Sequence, residues 1–220
     1  MTTAFISHRD CLLHNMGSHH PKQPARLHAV EDQLIASGLI NYLLHVEAPL
    51  AAREQLARVH AWSYIDSIEQ AAPRTGLSHL DPDTAMNPHT LNAALRAAGA
   101  AVLATDMVIE GRSARMLNIP LAAYSAGREF RAAVEQFWLP ALEAFRPEML
   151  FVSAGFDAHR DDDMAMLRLV EADYGWVTGK IKDVADRHAR GRIVSVLEGG
   201  YDLHALGRSV MTHLKVMGGL

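Results

Sequence analysis

Apolar residues along this chain recur with two different periods, and the changes of period mark its elements. Residues 3–8 (TAFISH) and 43–48 (LLHVEA) are short apolar runs of strand type. Between them, residues 24–37 carry Leu27, Val30, Leu34 and Ile35 at helical spacing, and Gly38 stands where such a helix would end. A longer helix is expected over 88–111, with Asn87 as its N-cap and Pro88 in its first turn. Its apolar face is Leu91, Leu95, Ala98, Val102 and Ile109. A further helix over 127–145 should bury Phe130, Val134, Phe137, Trp138 and Ala141. It should bend at Pro140, which lacks a donor and crowds the preceding turn.

The last third changes character. Residues 149–155 (MLFVSAG) and 192–200 (RIVSVLEGG) are continuous apolar runs ending in glycine, the pattern of parallel strands covered on both faces. Helical spacing returns between them at Tyr174, Val177, Ile181 and Val184, and after them at Leu203, Leu206, Val210 and Leu214. Strand, helix, strand, helix predicts an α/β layered fold. In open parallel sheets the ligand site lies beyond the carboxyl ends of the strands. Asp157 and Tyr201 both fall there. No repeat, low-complexity tract or linker interrupts the pattern, so residues 1–220 are expected to form a single domain.

Composition narrows the function classes. With 220 residues, 49% hydrophobic and 21% charged, the chain can bury a substantial core. A net charge of −4 without a basic cluster argues against binding nucleic acid through a basic face. No apolar run is long enough to span a bilayer, and the N-terminus lacks the pattern of a secretory signal. Cys11 is the sole cysteine, so no internal disulfide forms, which is compatible with the cytoplasm. Thirteen histidines are many for this length and hint at metal or proton chemistry.

Four stretches carry candidate chemistry. Asp157 and His159 in GFDAH follow a strand, where a rigid backbone could aim a carboxylate at a divalent cation; a polar structural loop is the competing reading. The following Arg160–Asp163 run reads as a solvated loop or helix cap. In EGGYDL, Gly199 and Gly200 permit a sharp turn, and Tyr201 could donate to a developing oxyanion or simply cover the turn. The pair His19–His20 precedes Pro21 and Pro24 and reads as structural or as a pocket wall. His60 opens a helix whose Trp62, Ile65 and Ile68 are expected in the core. His28, His45, His188 and His213 belong to no constellation and read as surface or satisfied core residues.

Five segments in a fixed order, HPKQPARL, VHAWSYIDSI, LDPDTAMNPHTLNAALRAAGAA, FRPEMLFVSAGFDAHRDD and IVSVLEGGYDL, together resemble the histone deacetylase superfamily. The nearest likeness is to class II-like bacterial deacetylases and acetylpolyamine amidohydrolases. The resemblance implies a three-layer α-β-α arginase/deacetylase-like fold and zinc-dependent hydrolysis of N-acetyl amides of acetyl-lysine or acetylpolyamines. It implies that Asp157 is a zinc ligand, with His159 as an accessory candidate, and that Tyr201 polarises the scissile carbonyl. It likewise implies that Gly199 and Gly200 line the acyl-lysine channel and that Arg26 lies near the pocket base.

The resemblance also breaks. The family's central block, with tandem catalytic histidines and a strand ending in a zinc-binding Asp-x-His motif, is missing near residues 112–116. About 30 residues make one strand-plus-helix unit, so at least two units are lost. The implied outcome is an impaired or inactive deacetylase that holds zinc poorly. The shortened sheet is then rearranged, completed by an oligomer or partner chain, or unstable. A non-catalytic domain binding a ligand or partner is the alternative. An arginase-like manganese hydrolase is the weaker one, because no Asp-x-Asp cluster stands in a suitable loop.

Overall fold

The structure is a computed structural model, which describes residues 3–18, 20–108 and 119–220. The chain divides into two compact units. One comprises Met1–Thr3, Ala29–Tyr42 and Val108–Leu220; the other comprises Ala4–His28 and Leu43–Met107. The expected junction at 112–116, Ile109 and His19 all lie outside the described residues.

In the N-terminal unit, the two apolar runs form strands β1 (Thr3–Ser7) and β2 (Leu43–Glu47) as expected, and the two strands pair. Helix α1 (Ala25–Ala36) fills the expected interval between them in sequence, its residues from Ala29 onward belonging to the other unit. The short α2 (Arg53–Leu56) and α3 (Trp62–Ala71) lead to the antiparallel hairpin of β3 (Ser78–Asp81) and β4 (Thr84–Met86). Ile65 is buried as expected, but Trp62 is half exposed, its ring lying under the Arg53 guanidinium at 5.5 Å. Helix α4 (Thr90–Val108) starts later than expected, so Asn87 and Pro88 lie in the turn before it, where Asn87 Oδ1 accepts from the His89 amide and the Thr90 hydroxyl. Gly99 is forced by a close approach, since a Cβ there would stand 1.9 Å from the Pro49 carbonyl oxygen.

The C-terminal unit holds the parallel pair β5 (Leu150–Ala154) and β6 (Ile193–Leu197), joined by α7 (Glu171–His188) and followed by α8 (Leu203–Gly218). The register runs without a slip from Leu150↔Ile193 to Ala154↔Leu197. Val184, Ile181, Leu206 and Val210 are buried, so the helical spacing read from the sequence is the core-facing spacing. His213, on α8, is a satisfied core histidine: its Nδ1 lies 2.7 Å from Thr178 Oγ1 and its Nε2 2.9 Å from Ser195 Oγ.

Two expectations need correction here. The helical stretch 127–145 is continuous as expected, but it is built from α5 (Gly127–Ala133), a π-helical turn (Val134–Trp138) and α6 (Leu139–Phe145). The wide turn lets the Leu139 amide reach the Val134 carbonyl five residues back, just before Pro140 removes the next donor. Widening rotates the apolar face, so Val134 is buried while Phe137 and Trp138 are 52% and 37% exposed and Ala141 is exposed too. The sheet is also not covered on both faces. Phe151 and Val196 are 59% and 37% exposed, because the described residues provide this pair with no flanking strand and leave part of one face open.

Candidate functional site

Parallel pairing brings the ends of β5 and β6 to one edge, and the ladder continues past both strands. The Glu198 amide donates to Ala154 at 2.9 Å and the Phe156 amide to Gly199 at 3.0 Å. Asp157 is therefore held beside the glycine turn. A Cβ on Gly199 would lie 2.2 Å from Asp157 Oδ2 and 2.6 Å from its Cγ, so no larger residue fits without displacing the carboxylate. Gly200 has φ +121°, and a Cβ there would also press on Leu206 and Phe156. The glycine pair is thus needed for a close approach and for a backbone conformation, and it delivers half-buried Tyr201 to the edge that carries Asp157.

Behind Asp157 stands an aromatic wall. The Tyr174 hydroxyl donates to the Phe156 carbonyl at 3.0 Å, and the two rings are 5.1 Å apart. The His213 ring meets Phe156 edge-on at 5.8 Å. Burial pushes the Tyr174 phenol well above its ordinary pKa, and the carboxylates of Asp157, Asp162, Asp173 and Glu171 add to the shift. Tyr174 therefore acts here as a neutral donor. Its hydroxyl in a core-facing helical position was the sequence signal that a buried partner existed.

His159 is 1% exposed and stacks on Tyr174 with ring centroids 6.5 Å apart. Its Nδ1 accepts from the Asp161 amide at 3.1 Å, which in the neutral ring leaves the proton on Nε2. Nε2 points at Glu171 Oε1 from 3.5 Å, beyond good hydrogen-bond distance. Nδ1 is thus engaged inside the loop and the ring braces that loop against α7, while the buried Nε2 has no hydrogen-bond partner among the described residues. Glu171 is held at a pKa of about 2: burial raises it, and the bond from Arg208 together with other donors outweighs that.

Asp162 corrects the reading of the Arg160–Asp163 run. Asp161 and Asp163 are exposed, but Asp162 is 6% exposed and accepts from the backbone amides of Tyr201 and Asp202 at 2.6 and 3.1 Å. The signal lay in the turn, since backbone amides after two glycines need acceptors. Asp202 in turn caps α8, accepting from the Ala205 amide at 2.7 Å.

Other candidates lie in the N-terminal unit. Arg26 sits in the first turn of α1, its amide donating to the Gln23 carbonyl. His20 Nδ1 accepts from the Lys22 amide, and its Nε2 is 3.5 Å from Asp83. His14 bonds Thr90 Oγ1 at 2.8 Å; burial lowers its pKa, and His20 and Lys22 lower it further.

The described residues contain no group of three or more His, Cys, Asp or Glu side chains that could hold a metal ion. A catalytic zinc generally needs three protein ligands and an open position. One carboxylate at Asp157, with His159 engaged elsewhere, does not fit that requirement.

The family model of the histone deacetylase domain matches residues 20–117 and 112–217, two segments that together cover most of the chain. The chain belongs to the histone deacetylase family. Its family match comes in two pieces meeting at 112–117, where the central block is missing, so this is a shortened member. Type-2 histone deacetylase 2 of Dictyostelium discoideum is 43% identical over 105 residues, 46% of this chain and 6% of that protein. The histone deacetylase-like amidohydrolase of Pseudomonas aeruginosa is 41% identical over 85 residues, covering 39% of this chain and 22% of the relative. A probable deacetylase of Methanothermobacter thermautotrophicus is 41% identical over 96 residues, covering 43% and 27%. The chain thus aligns with much less than two thirds of these relatives' lengths. The fold is similar to that in a crystal structure of the HDA15 HD domain, with a TM-score of 0.88 and 20% identity over 99% of this chain and 88% of that one. This likeness establishes the arginase/deacetylase-type α/β fold. Among the described residues, no helix is long and apolar enough to cross a membrane.

Proposed function

We propose that this chain descends from zinc-dependent deacetylases of acetyl-lysine or acetylpolyamines and, as it stands, does not turn over such substrates. The observation that carries the reading is the corner itself: Asp157 pressed against Gly199, with Tyr201 two residues on, and no metal-holding group of three among the described residues. The Tyr201 phenol can donate to a carbonyl oxygen, and the Asp157 carboxylate can accept from an N–H or attract a cation. Neither residue can supply the general base that the missing block carries in the family. Losing a general base alone removes about 10²–10⁴-fold of rate, and catalytic groups that act as a unit are lost together. We place the protein in the cytoplasm, on its single cysteine.

The test is turnover of an acetyl-lysine reporter with added zinc, compared with Tyr201→Phe. The expected result is no difference between them, in a preparation that shows a cooperative thermal transition. Turnover lost in both Asp157→Ala and Tyr201→Phe overturns the proposal. A non-catalytic domain that binds a partner is the second reading, favoured by the exposure of Phe151 and Val196 on the sheet.

A further inference from the structure

We infer that Asp162 is the positioning residue for Tyr201, tying the tyrosine-bearing turn to the Asp157 loop so that the two move as one body. The inference rests on the reading of Tyr201 as a ligand-facing residue, but its test does not depend on turnover.

Three backbone donors converge on this one side chain. The Tyr201 and Asp202 amides point at Oδ2 from 2.6 and 3.1 Å, and the Met164 amide at Oδ1 from 3.1 Å. An ionised carboxylate is acceptor-only at both oxygens, whereas an asparagine amide must present a donor at one of them. Whichever way asparagine turned, its NH₂ would face either the Met164 amide or the Tyr201–Asp202 pair. The geometry therefore calls for Asp and not for its isostere. The anchor is itself held at its own backbone, where the Asp162 amide donates to the His159 carbonyl at 2.9 Å. His159, fully buried against Tyr174, fixes that point to α7. A line of hydrogen bonds and a ring stack thus runs from α7 through His159 and Asp162 to the backbone of Tyr201. Gly200, at φ +121°, is the turn whose backbone conformation such a clamp holds in place.

The test is amide hydrogen exchange by NMR in the full chain, comparing wild type with Asp162→Asn and with the exposed neighbour Asp163→Asn. In Asp162→Asn, exchange at Tyr201 and Asp202 should accelerate about tenfold or more, the loss of a charge-assisted bond. The Tyr201 amide proton should also move upfield, while α7 amides from Tyr174 to Val184 keep their protection. Asp163→Asn should change none of these. Unchanged exchange and shift at Tyr201 in folded Asp162→Asn overturns the assignment. If Asp162→Asn does not fold, the temperature coefficient of the wild-type Tyr201 amide decides: a solvent-exposed value overturns the clamp and a hydrogen-bonded one supports it. Activity of the wild-type chain would overturn the proposed function and leave this result standing.

Discussion

Asp157 and Gly199 form a pair in which one residue's chemistry depends on the other's lack of a side chain. A methyl group at Gly199 would occupy the space of the carboxylate, with contacts of 2.2 to 2.9 Å to its three terminal atoms. Gly199→Ala should therefore swing Asp157 away and destabilise the chain by about 1–3 kcal/mol, the usual cost of overpacking. A urea titration and the chemical shift of the Asp157 carboxyl carbon check this; an unchanged midpoint and shift would contradict the packing. A second single-residue effect is tied to pH. Burial lowers the His213 pKa to about 4, against an ordinary value near 6.5, and its ring meets Thr178, Ser195 and the Phe156 ring. Thr178 spends its hydroxyl proton on the Tyr174 carbonyl at 2.6 Å. His213 therefore donates from Nδ1 and accepts from Ser195 at Nε2. The unfolded chain takes up this proton first as the pH falls, so the stability is intact above about 6.5 and is lost between there and 4. At pH 5 the loss relative to pH 7 should be about 2 kcal/mol larger in wild type than in His213→Gln. Equal losses in the two proteins would remove His213 from the acid sensitivity.

Helix α7 is set at its start by Asp173, which is 4% exposed. Its Oδ2 accepts from the Val170 amide at 3.0 Å, and its Oδ1 takes the Arg131 guanidinium of α5 at 2.9 Å. Gly127 makes room for that carboxylate, since a Cβ there would lie 2.2 Å from Oδ1. Asp173→Ala removes a helix-start acceptor and leaves Arg131 without this partner, so it should cost about 2–3 kcal/mol. A denaturation midpoint close to wild type would show that the α5–α7 joint is held by apolar contacts alone. At this scale much was legible in the sequence. The 3.6-residue spacing marked α1, α4, α7 and α8, and the two apolar runs marked β5 and β6, because each of these elements buries apolar side chains. The π turn was not legible, because Pro140 signals only a lost donor and not which carbonyl the preceding amide will find. Asp162 was missed for a related reason: three aspartates in a row read alike until the fold shows which one receives the Tyr201 amide.

For the chain as a whole, the order of its motifs outlasts the loss of its centre. The segments before and after residues 112–116 each keep family character, which is why the family match comes in two pieces. What the sequence could not give was which surfaces the loss would open. Continuous apolar runs imply two covered faces, yet Phe151 and Val196 are open to solvent. The same loss bears on metal. A zinc site gains its affinity from several deprotonated ligands held in fixed geometry, and one carboxylate must compete with water and with every other exposed Asp and Glu. His159 adds little, because a ligand role would cost it the Asp161 amide bond and the stack on Tyr174. Zinc-loaded protein dialysed against a mild chelator should therefore retain well under one zinc per chain, and Asp157→Ala should retain the same amount. Elemental analysis of both proteins reads this directly. One zinc held tightly by wild type and lost in Asp157→Ala would mean that a second set of donors closes on Asp157.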